Sequence, residues 1–572
     1  MVQLLYLVVF SCLLKASLQK STPQDSEYVA AVVEYQVSRN VEENLRNYIE
    51  HITEAAKQGA DIIAFPELTL TNSTTSFPVP IKGLLREYPI PALHPELYDN
   101  LLVAISKAAR DNQIYVLVNI RELMDCTHND TGELCPEAKK YTFNTNVVFD
   151  RTGKVIDRYR KINLFGEASH TPALQPDLGY FETDFGVNFS HFICFDLMFQ
   201  VPAVQSVQKL NVTNIIFSTM WFSELPYLTA VQIQESYAYT MNVNFIASGA
   251  NNIAVGSAGS GIYSGKAGAL ISIMPGVPTT RLLVSRVPKV PGQVTGSYPG
   301  PIYDKPDNHD RLRLITDPSL VAHVSRPLTS GYQQFTLTEK DVSCKFTVKM
   351  SPGIGESFPY FRAVIQDSTT TYTLREIGVV SCSIVACTTD QFKSCASNYH
   401  PLAATALIEE LTIEMTTSHP QFNSSLQCDN AVYFPLSLTK RKFPIGTDNF
   451  SIHHGEPDEL LRSQLSTDSE TGDGKKDITT IVYKLKKPQE DLLSFGIWGR
   501  MYLRDVDHSR KITEVDKKKI ADIMNIIEAG ISEGEDQKAK IDALSADHKK
   551  GEKKLLDHKK DEEIIAYFDL IG

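Results

Sequence analysis

Between Glu27 and Val287 the hydrophobic pattern switches back and forth between two periods, and this alternation restricts the chain to few architectures. "YVAAVVEY" is a continuous apolar run; Val41, Leu45, Tyr48, Ile49, Ile52, Ala55 and Ala56 then recur at helical spacing, with Gly59 where a helix would end. The strand "DIIAFPE" follows at once. The cycle repeats with a helical pattern through Leu97, Leu101, Leu102, Ile105 and Ala108, then the strand "IYVLVNI". "NTNVVFD", the turn "RTG" and "KVIDRYRK" predict a hairpin, and "PAVQSVQKL", "NIIFST", "TAVQIQESYAYTMN" and "VNFIASG" predict helix and strand by turns. Continuous apolar strands alternating with amphipathic helices imply a sheet covered by helices, the α/β class.

A chain of 572 residues with 42% hydrophobic content exceeds one ordinary domain and has ample material for several cores. We divide it into a leader over 1–18, an α/β domain over 27–290, a Pro/Gly/Asp/Arg-rich linker over 291–326, a β-rich domain over 327–507 and a charge-dense tail over 508–572. The β-rich assignment rests on "YQQFTLTE", "CKFTVKM", "TYTLREIGVVSCSIVAC", "TIEMTT" and "SFGIWGRMYL", separated by turn residues. The tail carries Ile520, Ile523 and Ile527 at helical spacing within dense charge, which predicts a helical or disordered appendage.

Net charge of -12 and no Lys/Arg stripe ahead of the tail exclude a nucleic-acid surface. The apolar run Leu4 to Leu14 is too short to span a bilayer and precedes small residues, as in a cleaved signal peptide. Six N-x-[ST] sequons, at Asn72, Asn129, Asn188, Asn211, Asn423 and Asn449, fit a secreted glycoprotein. Nine cysteines favour an oxidising compartment. Cys12 lies in the leader, Cys126 and Cys135 bracket a short loop as a local disulfide would, and Cys344, Cys382, Cys387, Cys395 and Cys428 are the other disulfide candidates. Eight cysteines beyond the leader pair evenly, so reserving Cys194 as a free thiol leaves an odd one. Counting alone therefore favours a structural Cys194.

Three strand ends argue the other way. Glu67 ends "DIIAFPE", where Pro66 cannot donate to a ladder; Lys161 ends "KVIDRYRK"; Cys194 ends "VNFSHFIC". Ligands bind at the carboxyl ends of strands in α/β folds, where loops converge. A carboxylate beside a thiol can take its proton and return it to a leaving amine, while a lysine ammonium favours the thiolate and steadies an oxyanion. Together these suffice for acyl transfer through a thioester without metal or organic cofactor. Taken singly, however, each residue has an ordinary alternative: a surface carboxylate, an exposed ammonium, a core or disulfide cysteine. His191 beside Cys194 suggests a Cys-His protease, but the flanking "CG[SA]C[WY]" pattern is missing.

The motifs "AFPE" at 64–67, "YRKINLFGE" at 159–167, "CFDLMFQVPA" at 194–203, "WFSELPYLTAVQIQESYAYTMNVNFIAS" and "GSGIY", in this order, resemble the nitrilase (carbon–nitrogen hydrolase) superfamily, and within it the vanin and biotinidase branch. The resemblance covers Glu27 to Val287 and extends to a C-terminal β-rich domain ending near "FGIWGRMYLRD". It implies an αββα sandwich, with Glu67 as general acid/base, Lys161 as intermediate stabiliser and Cys194 as nucleophile. It also points to Glu167 as a supporting glutamate and leaves Trp221 as a candidate pocket wall. The activity implied is hydrolysis of a linear non-peptide amide, pantetheine or biocytin. A catalytically silent secreted binding protein of the same fold is the competing reading. The terminus "DEEIIAYFDLIG" has only a brief apolar patch and no clear lipid-anchor signal.

Overall fold

The structure is a computed structural model and describes residues 20–71, 75–79, 84–127, 136–175, 177–305, 308, 311–352, 360–373, 375–396, 406–420, 429–456 and 476–507. The leader, the 508–572 tail, Asn72, Asn129, Asn423, Cys135 and Cys428 lie outside the described residues.

The α/β domain contains two mixed sheets. In the first, β1 (Glu27–Gln36) runs parallel to β2 (Ile62–Ala64), which is parallel to β3 (Tyr115–Asp125). Antiparallel β4 (Lys140–Phe149) and β5 (Val155–Arg160) continue it as the hairpin the sequence predicts. In the second, β6 (Gly179–Glu182) pairs with β7 (Asn188–Ile193), and β7, β8 (Asn214–Thr219) and β9 (Asn244–Asn251) are mutually parallel. Antiparallel β10 (Ser260–Ser264) and β11 (Ala269–Ile273) extend that sheet. β12 (Arg281–Pro288) returns to flank β1, and a short parallel pairing of Tyr35 and Gln36 with Ala250 and Asn251 joins the sheets at one end.

Period-2 alternation decides what each strand face meets. Ala30, Val32, Ile62, Leu117, Ile216 and Ile246 pack between the sheets. Ala31, Val33, Ile63 and Val116 face the other way, under α1 (Val41–Lys57) and α2 (Asn100–Asn112). α3 (Ala230–Met241) covers the outer face of the second sheet, where Tyr237 meets Phe192 and Phe245. The order is helix, sheet, sheet, helix: the αββα sandwich. Asn40 caps α1 by accepting from the Glu43 amide at 3.0 Å, and Thr229 with Gln232 makes a capping box on α3.

Two helical expectations shift. α2 begins at Asn100, because Asp99 accepts from the Leu101 amide as N-cap, so Leu97 stays outside and 38% exposed. In "PAVQSVQKL" only Gln205–Gln208 is α-helical; Val201 is held extended ahead of Pro202 (φ -109°, ψ 118°). The segment expected as a linker is more than a tether. Gly300–Ile302 pairs with β11, Ile315–Thr316 pairs with Glu224–Leu225, and Leu312 and Leu320 are buried.

Downstream, two antiparallel sheets form a second sandwich. One joins Ser325–Leu328, β15 (Tyr360–Tyr372), β16 (Arg375–Cys387), β21 (Leu492–Met501) and β18 (Ala431–Thr439). The other joins β13 (Gly331–Glu339), β14 (Val342–Pro352), β17 (Ala406–Pro420), β20 (Lys476–Leu485) and β19 (Phe450–Gly455). Cys344–Cys382 staples β14 to β16 across this sandwich, and Cys387–Cys395 closes a turn at the end of β16. Cys126 is also disulfide-bonded. Among the described residues Cys194 is the one free cysteine, so the pairing count that favoured a structural Cys194 does not hold.

Candidate active site

Glu67, Lys161 and Cys194 follow β2, β5 and β7, and the three strand ends open on one buried point. The Lys161 side chain is 1% exposed; its Nζ donates to Glu67 Oε1 at 2.6 Å and also to Glu167 Oε1. Two further donors fix the Glu67 carboxylate: Asn144 Nδ2 at 2.8 Å to Oε1 and the Met220 amide at 2.8 Å to Oε2. The same Asn144 amide group donates to Glu167 Oε2 at 2.9 Å, so Asn144 and Lys161 together lock the two glutamates side by side. Backbone pins complete the setting: Asn119 accepts from the Leu68 amide, and Ser218 donates to the Phe65 carbonyl.

Cys194 begins a 3-10 turn, Cys194–Met198, directly off β7, and its φ of +47° lies in the left-handed region that an L residue avoids. Such strain persists only where the surroundings over-determine it. Asp196 supplies much of that constraint. Its carboxylate accepts from the Ile193 amide, the Tyr159 hydroxyl, and the Asn163 amide and side chain at 2.7–3.2 Å. The strained corner turns the sulfur out of the sheet, to within 3.5 Å of the Met220 carbonyl and within hydrogen-bond reach of Glu67.

The electrostatics differ from the sequence expectation in one respect. Burial pushes the Cys194 thiol well up and the Glu67 charge adds to this, outweighing the opposing pull of Lys161. The resting group is therefore a neutral thiol, not a preformed thiolate, and it needs a base. Burial opposes the Lys161 ammonium, but Glu167 and Glu67 override it and hold its pKa well above the ordinary lysine value. Burial likewise opposes ionisation of Glu167, and Lys161 with His170 overrides it, holding that carboxyl low. Asp196 is raised to about 6 by burial, against its hydrogen bonds.

Beside the sulfur lies a cleft of about 350 Å³ including the open space at its mouth. Phe165, Phe195, Met198, Trp221, Phe222 and Leu228 make it largely apolar, with Glu224 and Tyr372 as polar members. Trp221 is thus a wall residue, anchored by donating its indole N–H to the Leu228 carbonyl at 2.8 Å. His191 is not brought to the thiol; its Nε2 pairs with Asp157 at 2.7 Å. The sequence reading missed Asn144 and Asp196. The "NTN" at 144–146, polar on the buried face of an apolar strand, and the acid in "CFD" were the available signals. Tyr372 arrives from the second domain with no local signal.

A buried thiol beside a glutamate–lysine pair has the groups that acyl transfer requires: carboxylate, thiol and ammonium stand together in one buried cluster. Residues 29–261 match the carbon–nitrogen hydrolase family and residues 312–505 the vanin C-terminal domain, which together define the chain as a carbon–nitrogen hydrolase. Vanin-like protein 2 of Drosophila melanogaster is 31% identical over 87% of this chain and 94% of its own. Pantetheinase of Canis lupus familiaris is 39% identical over 37% of this chain and 42% of its own, and biotinidase of Bos taurus 34% over 42% and 50%. The chain belongs to the vanin-like family and is an amidohydrolase of that family.

Proposed function

We propose that the protein hydrolyses a linear, non-peptide amide of the pantetheine type through a thioester on Cys194, with Glu67 as proton carrier and Lys161 as oxyanion stabiliser. The observation that carries this reading is a free, buried thiol beside a glutamate whose carboxylate is fixed by Lys161, Asn144 and the Met220 amide. Glu67 removes the thiol proton as the sulfur attacks the carbonyl carbon. Charge then develops on the carbonyl oxygen near the Lys161 ammonium, which Glu67 and Glu167 keep protonated. Collapse breaks the C–N bond, with Glu67 delivering the proton to the departing amine. A water molecule, deprotonated by Glu67, attacks the thioester; the C–S bond breaks, the acid leaves and the proton returns to sulfur.

For pantetheine the products are pantothenate and cysteamine; biocytin, giving biotin and lysine, is the alternative substrate. The relatives named pantetheinase and biotinidase support both, and we take pantetheine as the first substrate to test. Amine release from each substrate, with Cys194→Ser alongside, tests the reading. Turnover of pantetheine that vanishes in the variant supports it; turnover of biocytin alone moves the assignment, and turnover of neither overturns it.

We also place the protein outside the reducing cytosol as a glycoprotein. The disulfides Cys344–Cys382 and Cys387–Cys395 support this, as do exposed sequon residues Asn188 and Asn211 and the half-buried Asn449. Among the described residues no helix is long and apolar enough to cross a membrane. A mass loss on enzymatic deglycosylation of the secreted chain is the expected result; an unchanged mass contradicts it.

A further inference from the structure

Tyr372, Thr373 and Arg375, where β15 ends and β16 begins, reach from the second domain to the site just described and touch three of its loops. Tyr372 lines the cleft beside Cys194, stacks edge-on against Phe195 at 5.9 Å between centroids, and donates its hydroxyl to Glu224 Oε1 at 3.1 Å. Thr373 packs on the loop carrying Glu167: a Cβ built on Gly166 would lie 3.0 Å from Thr373 Cγ2, and the positive φ of Gly166 (+63°) independently requires glycine. Arg375 lies over the ring of Phe199, at the end of the Cys194 turn, at 5.7 Å. Tyr372 is 6% and Thr373 3% exposed, so this is a packed contact.

Arg500, on the neighbouring strand β21, ties this structure to the nucleophile. Its side chain is 1% exposed. Nε donates to the Met198 carbonyl at 2.8 Å, the last residue of the turn that Cys194 begins; Nη1 donates to Gly378 O on β16; Nη2 meets Asp505 Oδ1 and Oδ2 at 2.9 and 2.7 Å. One guanidinium thus holds the far end of the nucleophile's turn and the base of the intruding strand pair. Asp196 holds the near end. Only a planar fork with several fixed donors can serve these acceptors together.

We propose that the second domain is a working part of the active site, with Tyr372 a specificity-determining wall of the cleft and Arg500 a positioning residue for the Cys194 turn. The proposal rests on the amidase reading, so its test includes a readout that needs no substrate. In the full-length protein, alkylation of Cys194 is followed by peptide mass spectrometry with iodoacetamide and with a bulky N-aryl maleimide. Tyr372→Ala removes the wall, and the maleimide-to-iodoacetamide rate ratio is expected to rise about fivefold or more; an unchanged ratio overturns the wall. With pantetheine, Tyr372→Phe keeps the ring and removes the hydroxyl that donates to Glu224, raising KM about threefold with kcat within about twofold. Arg500→Lys keeps the charge without the fork; kcat is expected to fall about tenfold or more while KM stays within about twofold. A folded Arg500→Lys protein with wild-type kcat refutes the positioning role. Should that variant fail to fold, Asp505→Asn, which frees the Nη2 end, is expected to show the same kcat-only loss, and wild-type kcat there refutes it equally. Failure of pantetheine turnover in the wild type strikes the amidase reading, while the alkylation ratio still decides the wall.

Discussion

Replacing Lys161 with Met probes the charge balance of the site. The Lys161 side chain is 1% exposed and serves two carboxylates that are themselves 4% and 7% exposed. Met fills most of the same volume without charge, so packing survives while Glu67 and Glu167 lose their shared cation. Removing one partner of a buried ion pair destabilises by about 3–5 kcal/mol, because the other charge is left uncompensated. At the lower end, about 3 kcal/mol corresponds to a Tm loss of roughly 6–12 °C for a domain of this size. The sign of the pH dependence follows from Glu167. In the wild type its carboxyl is held low, burial opposing and Lys161 overriding, so its stabilisation is present above the ordinary glutamate range and lost as pH falls through the lowered value. In the variant burial is opposed only by His170 and the Asn144 hydrogen bond, so the carboxyl rises from its wild-type position, and the folded state gains stability by binding a proton as pH falls. The Tm gap is therefore largest at about pH 8 and narrows toward about pH 5. Thermal unfolding followed by circular dichroism at both pH values, with turnover measured alongside, checks this. A Tm loss below about 2 °C at pH 8, or an equal loss at both, refutes the reasoning.

Three further outcomes follow from the same cluster. Glu67→Gln abolishes turnover, and because the Glu67 charge helps raise the thiol, the pH midpoint of Cys194 alkylation moves down; a midpoint that rises contradicts the assigned order of causes. Asn144→Ala removes hydrogen bonds to both glutamates, destabilises by about 3 kcal/mol in urea unfolding and lowers kcat about tenfold or more; a neutral result removes Asn144 from the site. With Asp196 raised to about 6, protonation below that pH weakens its grip on the Cys194 turn, so kcat shows an acid limb near pH 6 that Asp196→Asn abolishes; an unchanged limb in that variant assigns it elsewhere.

Much of this arrangement was readable in the chain. Strand and helix periods gave the alternation of β1, α1, β2, α2 and β3, since each element buries one face and the sequence must encode that face. The strand-end positions of Glu67, Lys161 and Cys194 were visible because Pro66, the hairpin and the end of an apolar run are local signals. What the sequence concealed was everything set by distance in the chain. Which glutamate pairs with Lys161, and that Asn144 bridges both, depends on β2, β4 and β5 lying in register. The neutral state of the thiol depends on burial, which no residue type announces. Tyr372 and Arg500 lie more than a hundred residues past Cys194 and reach it only through the docking of one sandwich on another. The start of α2 was misread for a local reason: Leu97 fits the helical spacing, but Asp99 claims the cap.

A covalent thioester on Cys194 is best tested by trapping it. Full-length protein is mixed with excess pantetheine, quenched in acid during turnover, digested, and the peptide carrying Cys194 weighed. The expected result is a mass increase equal to the pantothenoyl group on Cys194, which fades once substrate is exhausted and never forms in Cys194→Ser. Undiminished amine release from Cys194→Ser, or an acyl adduct on a different residue, would contradict it.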